Sequence, residues 1–188
     1  QDVSCFGEGT GSVTASIGVD TLGYLGGVPP YTFSLNGNAY QTNDNGTVSY
    51  SNLFSGNYTI MVTDANGCSD SISFLIAEPS NLTLSNLSSE PSVSCFGISD
   101  AYVQLLIEGG TAPYFLYKDG QLFVENELDS VFTYYNLAEG TYTFYAQDTL
   151  GCVTDEEIIT VFEPDPLQFG ILNQENVGES LFSCSGDS

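Results

Sequence analysis

Val3-Ser4-Cys5-Phe6-Gly7 returns as Val93-Ser94-Cys95-Phe96-Gly97, and Phe182-Ser183-Cys184-Ser185-Gly186 begins the phrase a third time. The three cysteines stand 90 and 89 residues apart. Between them other phrases recur in the same order. Gly26-Gly27-Val28-Pro29-Pro30-Tyr31 answers to Gly109-Gly110-Thr111-Ala112-Pro113-Tyr114, and Asn52-Leu53 with Gly56-Asn57-Tyr58-Thr59 answers to Asn136-Leu137 with Gly140-Thr141-Tyr142-Thr143. Asp64-Ala65-Asn66-Gly67-Cys68 matches Asp148-Thr149-Leu150-Gly151-Cys152, and Glu78-Pro79 matches Glu163-Pro164. Internal repetition governs architecture before any local signal does. A period near 90 exceeds the roughly 20–45 residues of a stacked solenoid unit, so each period is one small domain. The expected division is a first repeat over residues 1–90, a second over 91–180, and the start of a third over 181–188. Since the last phrase is broken off, the chain reads as a piece of a longer protein.

Within each repeat the apolar pattern alternates by two, the period of a half-buried strand. Val13/Ala15/Ile17, Tyr31/Phe33/Leu35, Tyr58/Ile60/Val62 and Ile72/Phe74/Ile76 form such sets in the first repeat. Val103/Leu105/Ile107, Tyr114/Leu116, Tyr142/Phe144/Ala146 and Ile158/Thr160/Phe162 form them in the second. One face of each strand is expected to be core and the other wet, as in antiparallel sheets. Asn66-Gly67 and Asp119-Gly120 stand between alternating runs, where type I′ hairpin turns are expected. About seven short strands per repeat, punctuated by turns, predict an all-β chain of tandem immunoglobulin-like, or fibronectin-III-like, antiparallel β-sandwiches. Tyr58 and Tyr142, each following a glycine turn, resemble the tyrosine corner of such sandwiches. Leu82-Thr83-Leu84 is expected to finish the first repeat, leaving 89–92 as linker, and the longer first repeat predicts an extra loop near 18–24.

Five cysteines without a C-x₂-C pair or any His argue for disulfides rather than metal. Their places suggest Cys5–Cys68 and Cys95–Cys152, one bridge inside each repeat, with Cys184 left over. Loops of this length would stabilise each small domain by about 4 kcal/mol in the chain-entropy treatment. Disulfides place the chain outside the cytosol.

Lys118 is the single basic side chain against 24 acidic ones, for a net charge of −23. That charge repels phosphate backbones and anionic lipid, which excludes nucleic acid and bare membrane surfaces as partners. No apolar run approaches the roughly 20 residues that cross a bilayer. The acidic residues either keep neighbouring chains apart or bind calcium, an oxygen-seeking cation. Asp64, Asp148 and Asp155 are the candidate calcium ligands, although Asp64 and Asp148 are also explained as turn residues that bond their own backbone. With no His base and no basic partner for a hydroxyl nucleophile, catalysis is not expected, and no cofactor beyond calcium is implied. Tyr134-Tyr135 is the aromatic pair expected to leave a ring outside the core.

The ordered phrases Cys-x-Gly, Gly-Gly-x-Pro-Pro-Tyr, Asn-Leu-x-x-Gly-x-Tyr-Thr and Asp-Ala-Asn-Gly-Cys, followed by Glu-Pro, resemble the SprB repeat. That repeat occurs in tandem in very large surface adhesins of gliding Bacteroidota. The likeness covers both repeats and the third start; the second departs at Ala112 and at Thr149-Leu150. The resemblance implies export by the type IX system, a place on the bacterial surface in association with the outer membrane, and a part in gliding motility and attachment. It also implies neighbouring repeats, the extracellular substratum and the gliding and secretion machinery as partners. Asp20-Thr21-Leu22, Asp70-Ser71-Ile72, Asp129-Ser130-Val131 and Asp148-Thr149-Leu150 look like the O-glycosylation signal of secreted proteins in that phylum, making Thr21, Ser71, Ser130 and Thr149 candidate acceptors. Two functions follow: a non-catalytic stalk of repeated sandwiches, or a polysaccharide-binding module. An exposed aromatic row or a pocket peculiar to one repeat would favour the second.

Overall fold

The alternating segments fold as strands, and among the described residues no helix forms. The structure, a computed structural model, describes residues 1–18 and 26–169; the expected loop near 18–24, Thr21 and Cys184 fall wholly or largely outside that range. Two compact units are separated at Asn81/Leu82.

In the first unit β1 (Gly11–Ser16) pairs antiparallel with β4 (Thr47–Leu53). The facing sheet runs β3 (Asn38–Asn43), β2 (Tyr31–Leu35), β5 (Gly56–Thr63), β6 (Ser69–Ile76). In the second unit β7 (Thr83–Asn86), β8 (Ala101–Glu108) and β11 (Val131–Leu137) form one sheet in the order β11-β8-β7. The other runs β10 (Gln121–Glu127), β9 (Tyr114–Lys118), β12 (Gly140–Asp148), β13 (Glu157–Val161). All these strand pairings are antiparallel. Both units are thus antiparallel sandwiches, with Tyr31, Phe33, Val48 and Ile60 in the core of the first and Val103, Leu105, Leu116 and Phe144 in that of the second.

Four expectations need correction. Leu82-Thr83-Leu84 does not finish the first unit: β7 pairs with β8, Leu84 opposite Ile107, so the second unit begins at Leu82 and residues 89–92 lie inside it. Repetition gives a period but no phase, and in the second unit the cysteine phrase follows the opening strand β7. In β13 the inward residues are Ile159 and Val161, while Ile158 and Phe162 are exposed. A run of apolar residues on both faces left the phase undecided, and a slip of one residue exchanges the faces. Asn66-Gly67 does not form a type I′ turn, which needs positive φ at both residues. Only Gly67 has it (φ 83), and the Gly67 amide closes the turn on the Asp64 carbonyl at 3.0 Å. Type I′ geometry appears at Asp119-Gly120 (φ 48 and 76), as expected, and at Asn36-Gly37 (φ 48 and 72).

The fourth correction concerns the cysteines. Cys68 is a free, exposed thiol, whereas Cys5, Cys95 and Cys152 are disulfide-bonded. In the first unit the Val3 amide bonds the Ala77 carbonyl and the Gly7 amide the Glu78 carboxylate. These bonds pin Cys5 beside the Ile76 end of the β5/β6 hairpin. Cys68 sits at the other end, its carbonyl accepting from Asp64 N. The seven residue steps from Gly56 to Thr63, at about 3.3 Å each, separate these ends by roughly 23 Å, against the roughly 4–7 Å between Cα atoms that a disulfide allows. In the second unit Val93 N bonds Phe162 O and Gly97 N bonds Glu163, which puts Cys95 at the Val161 end of the β12/β13 hairpin. Cys152 lies beyond Asp148 at the opposite end. Neither in-unit bridge forms, because the two cysteines of each unit lie at opposite ends of its sandwich, a placement that strand count alone does not reveal.

Candidate functional site

Asp64 and Asp148 occupy matching places at one end of their sandwiches, just beyond β5 and at the last residue of β12. Asp148 Oδ1 accepts from the amides of Leu150 and Cys152, both at 2.9 Å, and Oδ2 accepts from Thr111 N at 2.8 Å. Asp64 Oδ1 accepts from Asn66 N at 2.9 Å and Cys68 N at 2.8 Å, and Oδ2 from Val28 N at 3.0 Å. Each carboxylate therefore ties its hairpin turn to the Gly-Gly-x-x-Pro loop. Asp148 is 2% exposed. The amide of Cys68 first, then those of Val28, Asn66 and Gly67, hold the Asp64 carboxyl below the ordinary aspartate value despite some desolvation. Asp155 is exposed. Among the described residues no three His, Cys, Asp or Glu side chains cluster as a cation site, and Asp64 belongs to the other unit from Asp148 and Asp155.

At the opposite ends the same economy appears. Glu78 accepts from Gly7 N at 2.8 Å and Glu163 from Gly97 N at 2.6 Å, closing the Cys-Phe-Gly turns. The Gly7 amide, with the Ser55 hydroxyl, lowers the Glu78 pKa. Tyr58 donates to Phe54 O at 3.0 Å and Tyr142 to Ala138 O at 3.1 Å, the two tyrosine corners. Lys118 bonds Asp119 at 2.7 Å and lies 4.3 Å from the Tyr142 ring centre, so the single basic group is engaged by its own unit. Ser71, Ser130 and Thr149 are exposed, although the Asp of Asp148-Thr149-Leu150 is itself buried.

The feature that differs between the units is aromatic. Tyr102 on β8 and Tyr135 on β11 are 54% and 63% exposed, with ring centres 6.1 Å apart. Tyr102 also borders a cleft of about 480 Å³ whose walls include Ser88, Glu90, Asp100 and Gln104. The matching places in the first unit are Ser12 and Ser51, paired across β1 and β4. The expectation that Tyr134-Tyr135 leaves one ring outside fits: Tyr134 packs edge-on against Phe123 at 4.9 Å and Phe144 at 6.0 Å. Tyr102 was missed, yet the alternation signalled it. With Val103, Leu105 and Ile107 inward, residue 102 faces out.

No protein-family model matches the chain, and no characterised protein matches it in sequence. Among solved structures it is similar to the fibronectin(III)-like modules of Clostridium thermocellum CbhA, at 13% identity and TM-score 0.36 over 82% of this chain and 86% of that one. A C-terminal fragment of intimin, solved with the intimin-binding domain of its translocated receptor, is similar at 13% identity and TM-score 0.38, over 87% of this chain and 61% of that one. The BSP domain of a biofilm-associated protein is similar at 21% identity and TM-score 0.29, over 81% of this chain and 27% of that one.

Proposed function

We propose that the chain is a stalk segment of a large secreted cell-surface adhesin of the SprB-repeat kind, serving attachment and gliding motility after export by the type IX system. The observation that carries the reading is the duplicated scaffold. Asp64 and Asp148, Glu78 and Glu163, Asn36 and Asp119, and Tyr58 and Tyr142 make the same bonds to backbone in both units. Residues repeated this way maintain each sandwich rather than recognise a ligand. The exposed acidic surface keeps neighbouring stalks apart by charge. In-frame removal of both repeats from the parent gene should shorten the surface adhesin and weaken attachment and gliding. Unchanged attachment and gliding, or a chain that antibodies cannot reach on intact cells, refutes the reading.

A second reading, polysaccharide binding, is favoured by Tyr102, Tyr135 and the adjoining cleft, because these belong to one unit only. Affinity electrophoresis against acidic and neutral polysaccharides tests it: retardation abolished in a Tyr102→Ala/Tyr135→Ala variant supports it, and retardation that persists in the variant removes it.

A further inference from the structure

Three positions that are small and neutral in the first unit carry a ring or a charge in the second, and in the second they converge on one place. Ser12 and Ser51, paired across β1 and β4, answer to Tyr102 and Tyr135. Thr10 answers to Asp100. That last exchange decides most, because the loop bond it serves is the same in both units. The Ser4 amide donates to the Thr10 hydroxyl at 2.8 Å, and the Ser94 amide to the Asp100 carboxylate at 2.9 Å. A neutral hydroxyl therefore suffices for the loop. The charge on Asp100 is surplus to the scaffold, and it stands on the wall of the cleft of about 480 Å³ that Tyr102 also borders.

The Ser94 hydroxyl, and then its amide, hold the Asp100 carboxyl below the ordinary aspartate value, so it stays ionised. Glu90, exposed, adds a second carboxylate to the same wall. No basic side chain answers them: the only one in the chain, Lys118, is bonded to Asp119 at 2.7 Å.

What this place can hold follows from its groups. The two tyrosines are more than half exposed, with ring centres 6.1 Å apart and planes tilted by 37°. Such rings take the apolar face of another ring, or a cation, which the face of an aromatic ring attracts. Ser88, Ser92 and Gln104 line the cleft with hydroxyl and amide groups that both donate and accept, as the hydroxyls of a sugar do. The ionised carboxylates only accept. In a chain of net charge −23 they repel a uronic or sulfated sugar and attract an ammonium. A ring with one apolar face, hydroxyls at its rim and an ammonium group meets all of these demands together.

We propose that this face of the second unit binds an amino-sugar polymer with free ammonium groups, one sugar ring stacked on Tyr102 and Tyr135 and its ammonium paired with Asp100 and Glu90. The proposal rests on the polysaccharide reading above and narrows it to one class of sugar. The N-acetylated form of the same polymer keeps the ring but loses the cation, and an acidic polymer meets like charge.

Calorimetric titration of the full chain with two probes tests it: a tetramer of glucosamine, and the same tetramer fully N-acetylated. At about pH 5.5 the carboxyls are ionised, and at physiological salt exposed charges are screened beyond about 8 Å. The glucosamine tetramer should bind one to a chain and at least about tenfold more tightly than its N-acetylated form, the effect of a single hydrogen bond between charged groups. Tyr102→Ser/Tyr135→Ser should abolish binding of both. Asp100→Thr/Glu90→Gln should bind the two alike. The replacements at 100, 102 and 135 are those the first unit already carries at these places, so the sandwich tolerates them. Asp155→Asn/Glu156→Gln removes as much charge from exposed positions outside the cleft and should keep the preference. Equal binding of the two tetramers by the native chain overturns the proposal and leaves the polysaccharide reading standing. Binding of neither overturns the proposal, and if no polysaccharide retards the chain in electrophoresis either, both fall. A preference that survives loss of the tyrosines, or that the Asp155/Glu156 variant also loses, is diffuse attraction between charges and overturns the proposal as well.

Discussion

Removing the Asp148 carboxylate should be among the most damaging single changes in the second unit, and its size can be worked from the three amides it serves. A hydrogen bond to an ionised acceptor contributes about 1.5–3 kcal/mol net. Leu150 is half exposed, so water can replace its partner. The Cys152 amide is buried and the Thr111 amide partly so, and those two set the loss. Asp148→Ala should therefore destabilise by about 3–6 kcal/mol, against roughly 5–15 kcal/mol for a whole domain. Asp148→Asn separates the two oxygens. The amide oxygen can keep Leu150 and Cys152, while the NH₂ group is turned against the Thr111 donor, for a loss of about 1.5–3 kcal/mol. Urea unfolding followed by tyrosine emission, with hydrogen exchange on peptides from residues 82–169 to localise the change, measures both variants. If Asp148→Ala lies within about 0.5 kcal/mol of the native chain, the usual range of a surface substitution, the account of this residue as the clasp of the hairpin end is wrong. A cost equal to that of Asp148→Asn would instead show that the Cys152 amide does not depend on it.

Cys68 should react with maleimide in the folded chain, and Cys5, Cys95 and Cys152 only after reduction; mass spectrometry of the labelled peptides reads this directly, and a protected Cys68 would restore the in-unit bridge. Tyr142→Phe deletes the corner bond to Ala138 and should cost about 0.5–1.5 kcal/mol, measured by the same urea titration. The carboxyls of Asp64, Glu78, Asp100 and Asp119 are all held below their ordinary values by hydrogen bonds. The folded chain then binds fewer protons than the unfolded one, so this stabilisation is complete above the ordinary carboxyl range and drains away as pH falls through the lowered values. Thermal melts across pH 2–7 should fall steeply only below about pH 4.

How much of this was legible in the sequence depended on whether a feature is local. Alternation placed Val103, Leu105 and Ile107 inward, and Asp119-Gly120 announced its hairpin, because both rest on geometry within a few residues. The end of the sandwich at which Cys5 lies was not legible. It is set by the bonds from Val3 to Ala77 and Gly7 to Glu78, which span more than seventy residues. Asp64 and Asp148 were recognisable as turn residues, but their third bonds, to Val28 and Thr111, reach 36 and 37 residues away. Those long bonds separate a clasp from a surface charge.

The phase of the repeat carries a further consequence. Counting from cysteine to cysteine assigns Leu82-Thr83-Leu84 to the end of the first repeat, yet those residues form the opening strand of the next sandwich. The structural unit thus straddles the boundary that the sequence phrase suggests. A fragment cut at the phrase, beginning near Val93, would lack β7 and expose Leu105 and Ile107 along the edge of β8. Its second unit should then keep only a two-stranded sheet of β8 and β11, like that of β1 and β4. A fragment beginning at Leu82 should be the more stable of the two, because burying Leu82 alone contributes about 1.5–3 kcal/mol and four edge pairings from Thr83 to Asn86 are restored. Urea titration of residues 82–169 and of residues 93–169 makes the comparison. Equal midpoints would show that β7 is an ornament on the sandwich, and that the cysteine phrase marks the folding unit after all.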